Sequence, residues 1–138
     1  MPARTRLRDG LAAGAIAAVV SGIPSTAHAL ATGRDPLEAT VAAGSLVLPR
    51  ETRRTRLVLA AAPVHLVISL GWGVVLARLL PTGAAVRTGA GAGLAIAAVD
   101  LGLLGRRFRR IRALPVAPQL ADHVAYGITV AAVLRRRR

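Results

Sequence analysis

Ionisable side chains interrupt apolar stretches of this sequence. Asp122 and His123 lie in "PQLADHVAYG", directly before the apolar run "ITVAAVL". Carboxylates and imidazoles inside membrane segments form proton paths, ion sites or polar ligand sites, or they join helices by hydrogen bonds. The candidate intramembrane polar cluster comprises His28, His65, Asp100, Asp122, His123 and Tyr126.

Other chemistry is less well supported by the residues. His28, His65 and His123 could ligate a haem, and zinc held by His and Asp is a further alternative, but no haem attachment motif is present. There is no cysteine, which excludes thiolate ligands and disulfides. The stretch "GAGAGLA" lacks the lysine and the preceding strand of a phosphate-binding loop. We therefore predict no cofactor, no metal and no enzymatic activity.

The composition is typical of a membrane protein. The chain has 138 residues, of which 54% are hydrophobic and 2% aromatic, and its mean hydropathy is +0.53. Helices in lipid pack through small side chains, so a core of Ala, Gly, Val and Leu fits a bilayer better than water. The length favours a single domain over residues 1–138.

The net charge of +13 comes entirely from arginines, which gather at the ends of the apolar blocks. Arginines at block ends contact anionic lipid headgroups, whereas the aromatic platforms of nucleic-acid-binding proteins are absent. We expect membrane lipids as partners and no nucleic acid. The predicted headgroup contacts are Arg50, Arg53, Arg54, Arg106, Arg107, Arg109 and Arg110.

The apolar blocks predict an all-α membrane protein. Four transmembrane helices are expected over about 10–31, 57–80, 88–105 and 118–134. A short interfacial or re-entrant helix is expected over 36–48, with a short fifth crossing as the alternative.

Two local patterns concern the ends of the short helix and the possible cleavage of the first apolar block. Asp35 is expected to cap the short helix, with Pro36 at its first position and Gly44 or Pro49 ending it. The first block also resembles a signal peptide, with "AHA" (residues 27–29) as a cleavage site. We expect residues 1–31 to be retained, because the later blocks offer membrane helices for them to pack against.

Helices that alternate in direction bring the polar cluster to one half of the bilayer. The spacing also places each member on a face of small or hydroxyl-bearing residues, such as Ala61, His65, Ser69 and Gly73. We therefore predict that His65, Asp100 and His123 converge on one interior pocket. Asp122 is expected at its rim, near the arginines of 106–112. The role we favour for these groups is structural, with Asp100 and Asp122 each hydrogen-bonded to a histidine, a serine or Tyr126 to lock the bundle. A functional pocket for protons, ions or a polar ligand is the alternative.

The last helix carries the segment His123-Val124-Ala125-Tyr126-Gly127. It resembles the His-x-x-aromatic-Gly pattern of small bacterial inner-membrane proteins of the YagU-like kind. The layout of the chain is also similar to actinobacterial four-helix membrane proteins. These resemblances imply an integral protein of the bacterial plasma membrane without a known reaction.

The small residues at Gly89, Gly93 and Ala97 predict a close helix contact. The function we expect is that of a structural or accessory helical-bundle subunit, with a homo-oligomer or a membrane partner subunit as possible assemblies. The alternative is a small transporter or proton- or ion-conducting subunit that uses the polar cluster. The positive-inside rule does not choose an orientation cleanly, and the basic start favours cytoplasmic termini.

Overall fold

A computed structural model describes residues 3–81 and 83–137, the side chains of residues 3 and 104 excepted. The chain is all-helical, with 80% helix and no strand among the described residues. The α-helices are α1 Ala3–Val20, α2 Ile23–Ala31, α3 Glu38–Gly44, α4 Arg54–Leu79, α5 Val86–Ala97, α6 Arg109–Arg112 and α7 Val116–Arg137. A π-helical segment, Ala98–Leu104, and a 3-10 turn, Gly105–Arg107, follow α5 directly.

Three stretches are long and apolar enough to cross a membrane. They are Arg4–Ala31, which covers α2 and all of α1 but its first residue, then Arg54–Leu79, and Val86–Arg107. The helix α7 is not among them, although it has 22 residues. Its sequence includes polar residues in the first half and arginines at the end, which lower its mean hydropathy. The membrane character of the chain therefore rests on three helices.

The first apolar block is a broken helix that starts earlier than the expected residue 10. The helix α1 begins at Ala3 and ends at Val20, and a turn at Ser21 and Gly22 leads into α2. Pro24 explains the position of the break, because it has no N–H and its ring clashes with the carbonyl four residues earlier. That carbonyl belongs to Val20, the last residue of α1.

The short helix α3 differs from its prediction. It has seven residues, and its N-cap is Leu37 instead of Asp35. The Asp35 carboxylate accepts a hydrogen bond from the Leu37 N–H at 2.9 Å, as in an Asx-turn, one turn before the helix. At ~1.5 Å per residue α3 is about 10 Å long, so the alternative of a fifth crossing is wrong. Gly44 ends the helix, and its backbone packs directly on Leu57 of α4.

Two partly exposed acidic residues, Asp35 before α3 and Glu51 after it, pair with arginines in the first turn of α4. The Leu37 N–H and then the Arg54 guanidinium, 2.6 Å away, keep the pKa of Asp35 below its usual value. The Arg53 N–H, followed by Arg56, lowers the pKa of Glu51 in the same way. Because both folded-state pKa values are depressed, these contacts contribute stability at neutral pH that is lost as pH falls through the depressed values.

The long helices pack in the order α4, α1, α7, α5. Between α1 and α4 the contact is made by glycine. A Cβ on Gly10 would lie 2.7 Å from the Val74 Cα, and one on Gly14 would lie 2.6 Å from the Ser69 carbonyl oxygen. Gly73 presents its backbone to Gly10 and Gly14 from the other side. The close approach depends on the absence of side chains at these positions.

A second glycine contact joins α5 to α7. A Cβ on Gly89 would lie 2.6 Å from the Gly127 carbonyl oxygen, and Gly93 packs against the backbone of His123 and Val124. The close helix contact predicted from Gly89 and Gly93 is therefore confirmed, and its partner is α7 of the same chain.

The core is built from small and aliphatic residues of α1, α4, α5 and α7. Its members are Ala13, Ala17, Leu76, Ala77, Leu80, Ile96, Tyr126, Val130, Ala131 and Leu134. Large apolar side chains also point outward, and Val19, Leu59 and Leu79 are 80%, 69% and 73% exposed. An outer surface this apolar is suited to lipid, since soluble monomers rarely expose large apolar patches.

Candidate functional site

The break between α1 and α2 is one centre of the polar cluster. Ala18 lies in the last turn of α1, where backbone carbonyls lack partners in a following turn. The His65 Nε2 of α4 lies 2.8 Å from the Ala18 carbonyl oxygen. A carbonyl can only accept, so Nε2 carries the proton and donates it. His65 thereby satisfies the end of α1 from a neighbouring helix.

Asp122 closes the other side of the same break. Its Oδ1 accepts a hydrogen bond from the Ser25 backbone N–H at 2.8 Å. Ser25 lies in the first turn of α2, where Gly22 offers no capping side chain and Pro24 has no N–H. A carboxylate is favoured at this end of a helix because the helix dipole is positive there. Asp122, from α7, thus acts as the missing N-cap of α2.

The hydrogen bonds of His65 and Asp122 both match the polarity of the helix end that they contact. The imidazole meets the carbonyl end of α1, and the carboxylate meets the N–H end of α2. In hydrocarbon an unsatisfied backbone group costs several kcal/mol, so this arrangement makes a broken helix tolerable inside a membrane. We call Ala18, Ser25, His65 and Asp122 the break clamp.

Asp100 and His123 form the second centre. The His123 Nδ1 lies 2.7 Å from the Gln119 carbonyl oxygen, so Nδ1 carries a proton and donates it. The opposite nitrogen, Nε2, lies 3.6 Å from the Asp100 Oδ2. The two side chains are 22% exposed for Asp100 and 18% for His123. A neutral imidazole would then direct a lone pair at a carboxylate, so the pair is attractive only when it holds one additional proton.

The π-helical segment presents Asp100 to α7. It begins at Ala98, directly after the Gly93 and Ala97 face that packs on α7. A π-helical turn widens the helix and shifts the side chains that follow, and such turns are frequent at functional sites. Sequence periodicity placed Asp100 on the small-residue face but contained no sign of the wider turn.

Tyr126 is the most buried member of the cluster, with 6% of its surface exposed. Its hydroxyl donates a hydrogen bond to the Ser69 carbonyl oxygen of α4. That carbonyl lies where Gly14 of α1 packs on α4, so three helices meet at this point. Tyr126 is therefore a link between α7 and α4.

The predicted single pocket is wrong as stated. Asp100 and His123 meet, but His65 is exposed and bonds to α1 instead of joining them. Asp122 pairs with Ser25 and not with the arginines of 106–112. His28 is half-buried, and its side chain makes no hydrogen bond or ion pair within the described residues. The cluster is thus divided between the break clamp and the Asp100–His123 pair.

Two of the seven predicted headgroup arginines are held by the protein. Arg54 pairs with Asp35, and Arg110 donates to the Glu51 carbonyl oxygen at 3.1 Å. Across residues 3–81 and 83–137 the others have no acidic partner and remain available to headgroups. These are Arg50, Arg53, Arg106, Arg107 and Arg109.

Sequence reasoning missed Asp9. It is 5% exposed, and its Oδ1 lies 3.0 Å from the Nε of Arg137 at the far end of the chain. The signal was present, because Asp9 is the only acid before Asp35 and it follows three arginines. The pairing of Gly10 with Gly14 in a G-x-x-x-G spacing was also not singled out.

Comparison with known proteins adds no assignment. No family model, curated protein or solved structure matches the chain. In the part of the chain that the structure describes, no three His, Asp or Glu side chains gather as a metal site would require.

Proposed function

We propose that the chain is a multi-pass membrane protein with four crossings that serves as a structural or accessory helical-bundle subunit. The fourth crossing is supported by the Asp9–Arg137 ion pair. Three spans starting at Arg4 would end with Arg107 on the opposite face. The ion pair places the end of α7 beside the start of α1. The 22 residues of α7 span about 33 Å at ~1.5 Å per residue, which matches a ~30 Å hydrocarbon core.

The structural role is supported by how the polar groups are used. His65, Asp122 and Tyr126 each form a hydrogen bond to the backbone of another helix. Groups used in this way hold helices in register. The proposed location is a bacterial plasma membrane, in line with the arginine-rich, lysine-free composition and the resemblance of the last helix. Lipids, a second copy or a membrane subunit are the proposed partners.

Cysteine labelling tests the four crossings. The chain has no cysteine, so single variants give an unambiguous signal. We expect Ala85→Cys and Arg136→Cys to react with a membrane-impermeant maleimide from one side of the membrane. Thr52→Cys and Ala113→Cys should react only from the other side. All four positions are exposed and lie outside the three candidate spans.

Arg136 decides between four crossings and three. Labelling of Arg136→Cys from the same side as Ala113→Cys would show that α7 does not cross, and the proposal would fail. Labelling of every variant before permeabilisation would show that the chain is not inserted. The wild-type chain, which cannot react, is the control for background.

A proton-conducting subunit is the second candidate, and the Asp100–His123 pair favours it. The Nδ1–H of His123 is committed to Gln119, so a proton between Nε2 and Asp100 is what makes the contact favourable. Intramembrane carboxylate and imidazole groups in such pairs act as proton relays in pumps and transporters.

Reconstituted liposomes with an internal pH dye test this second function. We expect the wild-type chain to dissipate a pH gradient, and Asp100→Asn to reduce the rate to that of protein-free liposomes. His65→Gln is the matched control, because His65 lies outside the pair and its loss should leave the rate unchanged. If the wild-type chain gave no proton flux, or if Asp100→Asn gave the same flux as the wild type, the proton-conducting function would be rejected. The structural role would then be the remaining proposal.

A further inference from the structure

The two ends of the described chain form a cleft that the proposed structural role does not explain. Its volume is about 550 Å³, and it lies beside the first turns of α1 and the end of α7. The lining residues are Arg4, Thr5, Leu7, Arg8, Asp9 and Arg137. Because the first candidate span begins at Arg4, the cleft lies at the level of lipid headgroups. This placement rests on the proposed membrane insertion.

The cleft carries an excess of positive charge. Arg4 and Arg8 are one helical turn apart on α1, so they face the same side, and neither has an acidic partner among the described residues. The Arg137 Nε donates to Asp9, which leaves the two terminal nitrogens of this guanidinium to contact a ligand. Guanidinium groups bind phosphate oxygens through paired hydrogen bonds. Three arginines against one carboxylate therefore suit a phosphate.

Asp9 adds a different requirement. Its Oδ1 is bonded to Arg137, but its Oδ2 is buried and has no hydrogen-bond partner within the described chain. A buried acceptor without a donor is unfavourable, so a ligand that brings a donor is favoured over a bare phosphate. An ammonium would be repelled by the arginines, which leaves a hydroxyl as the fitting donor.

We propose that this cleft binds an anionic phospholipid whose phosphodiester headgroup carries hydroxyl groups, of the phosphatidylglycerol type. Arg4, Arg8 and Arg137 hold the phosphate, and Asp9 accepts a hydrogen bond from the headgroup hydroxyl. Leu7, which is 42% exposed, offers an apolar wall for the part of the lipid nearest its acyl chains. The same phosphate chemistry exists in soluble glycerol phosphate, and the experiment separates the two sources.

The test is native mass spectrometry of the full chain, delipidated in detergent and then titrated with single lipids. We expect phosphatidylglycerol to bind more tightly than phosphatidylcholine or phosphatidylethanolamine. The double variant Arg4→Gln/Arg8→Gln should weaken phosphatidylglycerol binding by about tenfold or more, since two charge-assisted contacts are lost. Arg6→Gln/Arg136→Gln removes the same charge from positions outside the cleft and should bind as the wild type does.

Asp9 and the soluble ligand give separate outcomes. Asp9→Asn should reduce the preference for phosphatidylglycerol over phosphatidic acid, which lacks the headgroup hydroxyl. Equal weakening by the two arginine double variants would mean unspecific charge attraction and would overturn the site. Equal binding of glycerol 3-phosphate would overturn the lipid as ligand, and an unchanged preference in Asp9→Asn would overturn the hydroxyl contact. Thermal unfolding of each variant shows that it is folded, and the labelling experiment reports on insertion independently.

Discussion

Gly93→Ala is expected to lower the free energy of unfolding by about 1–3 kcal/mol, because it inserts a methyl group where α5 and α7 touch. At this position a Cβ would fall on the backbone of His123 and Val124, which cannot move aside without shifting α7. The displaced backbone also carries His123, so the Asp100–His123 distance should increase. Thermal unfolding in detergent, followed by the fluorescence of the single tryptophan, Trp72, measures the loss.

Gly91→Ala is the matched control on the same helix. Nothing lies within 4 Å of a Cβ at Gly91, so the substitution meets no neighbour. Alanine is favoured over glycine inside a helix by roughly 0.5–1 kcal/mol, so this variant should be as stable as the wild type or more stable. The two substitutions are chemically identical and have opposite expected signs. A loss of similar size in both would mean that α5 does not pack on α7 through Gly93.

Asp122→Ala is expected to destabilise the protein by about 1–3 kcal/mol, because the Ser25 N–H at the start of α2 loses its acceptor. The neighbouring Pro24 has no N–H, so this bond is the main capping contact of the first turn. Hydrogen exchange at Ser25 should become faster, and α2 should fray from the break. Both effects are measured on the purified chain by thermal unfolding and by exchange of peptides that cover residues 21–31.

Two further variants separate the capping contact from other roles of these residues. Asp122→Asn keeps an oxygen acceptor and loses only the charge, which is worth about 0.3–1 kcal/mol at a helix end. Ser25→Ala removes only the hydroxyl contact and keeps the backbone N–H that Asp122 accepts from, so it should cost clearly less than Asp122→Ala. If Ser25→Ala were as damaging as Asp122→Ala, or if Asp122→Ala left exchange at Ser25 unchanged, Asp122 would not be the cap of α2.

The polar cluster shows how far local spacing carries a site prediction. Periodicity placed Asp100 and His123 on the small-residue faces of their helices, and those faces do meet. The same argument placed His65 with them, but the partner of His65 is the Ala18 carbonyl. A backbone group becomes available as a partner only where a helix breaks, and side-chain spacing does not report on that. The sequence signal for this break is Pro24, which lacks the N–H that a continuous helix needs at this position.

The sequence by itself determined that the chain holds stretches apolar enough to cross a membrane, because hydropathy is a sum over neighbouring residues and needs no knowledge of the fold. It also determined which face of α5 has residues small enough for close helix contact, since Gly89 and Gly93 are one turn apart. Only the tertiary structure decided which helix fills that face and which backbone groups His65 and Asp122 satisfy. Those choices depend on the order α4, α1, α7, α5 and on the rotation of each helix. Contacts between residues far apart in the chain fix both, as the bond between Ser25 and Asp122 does.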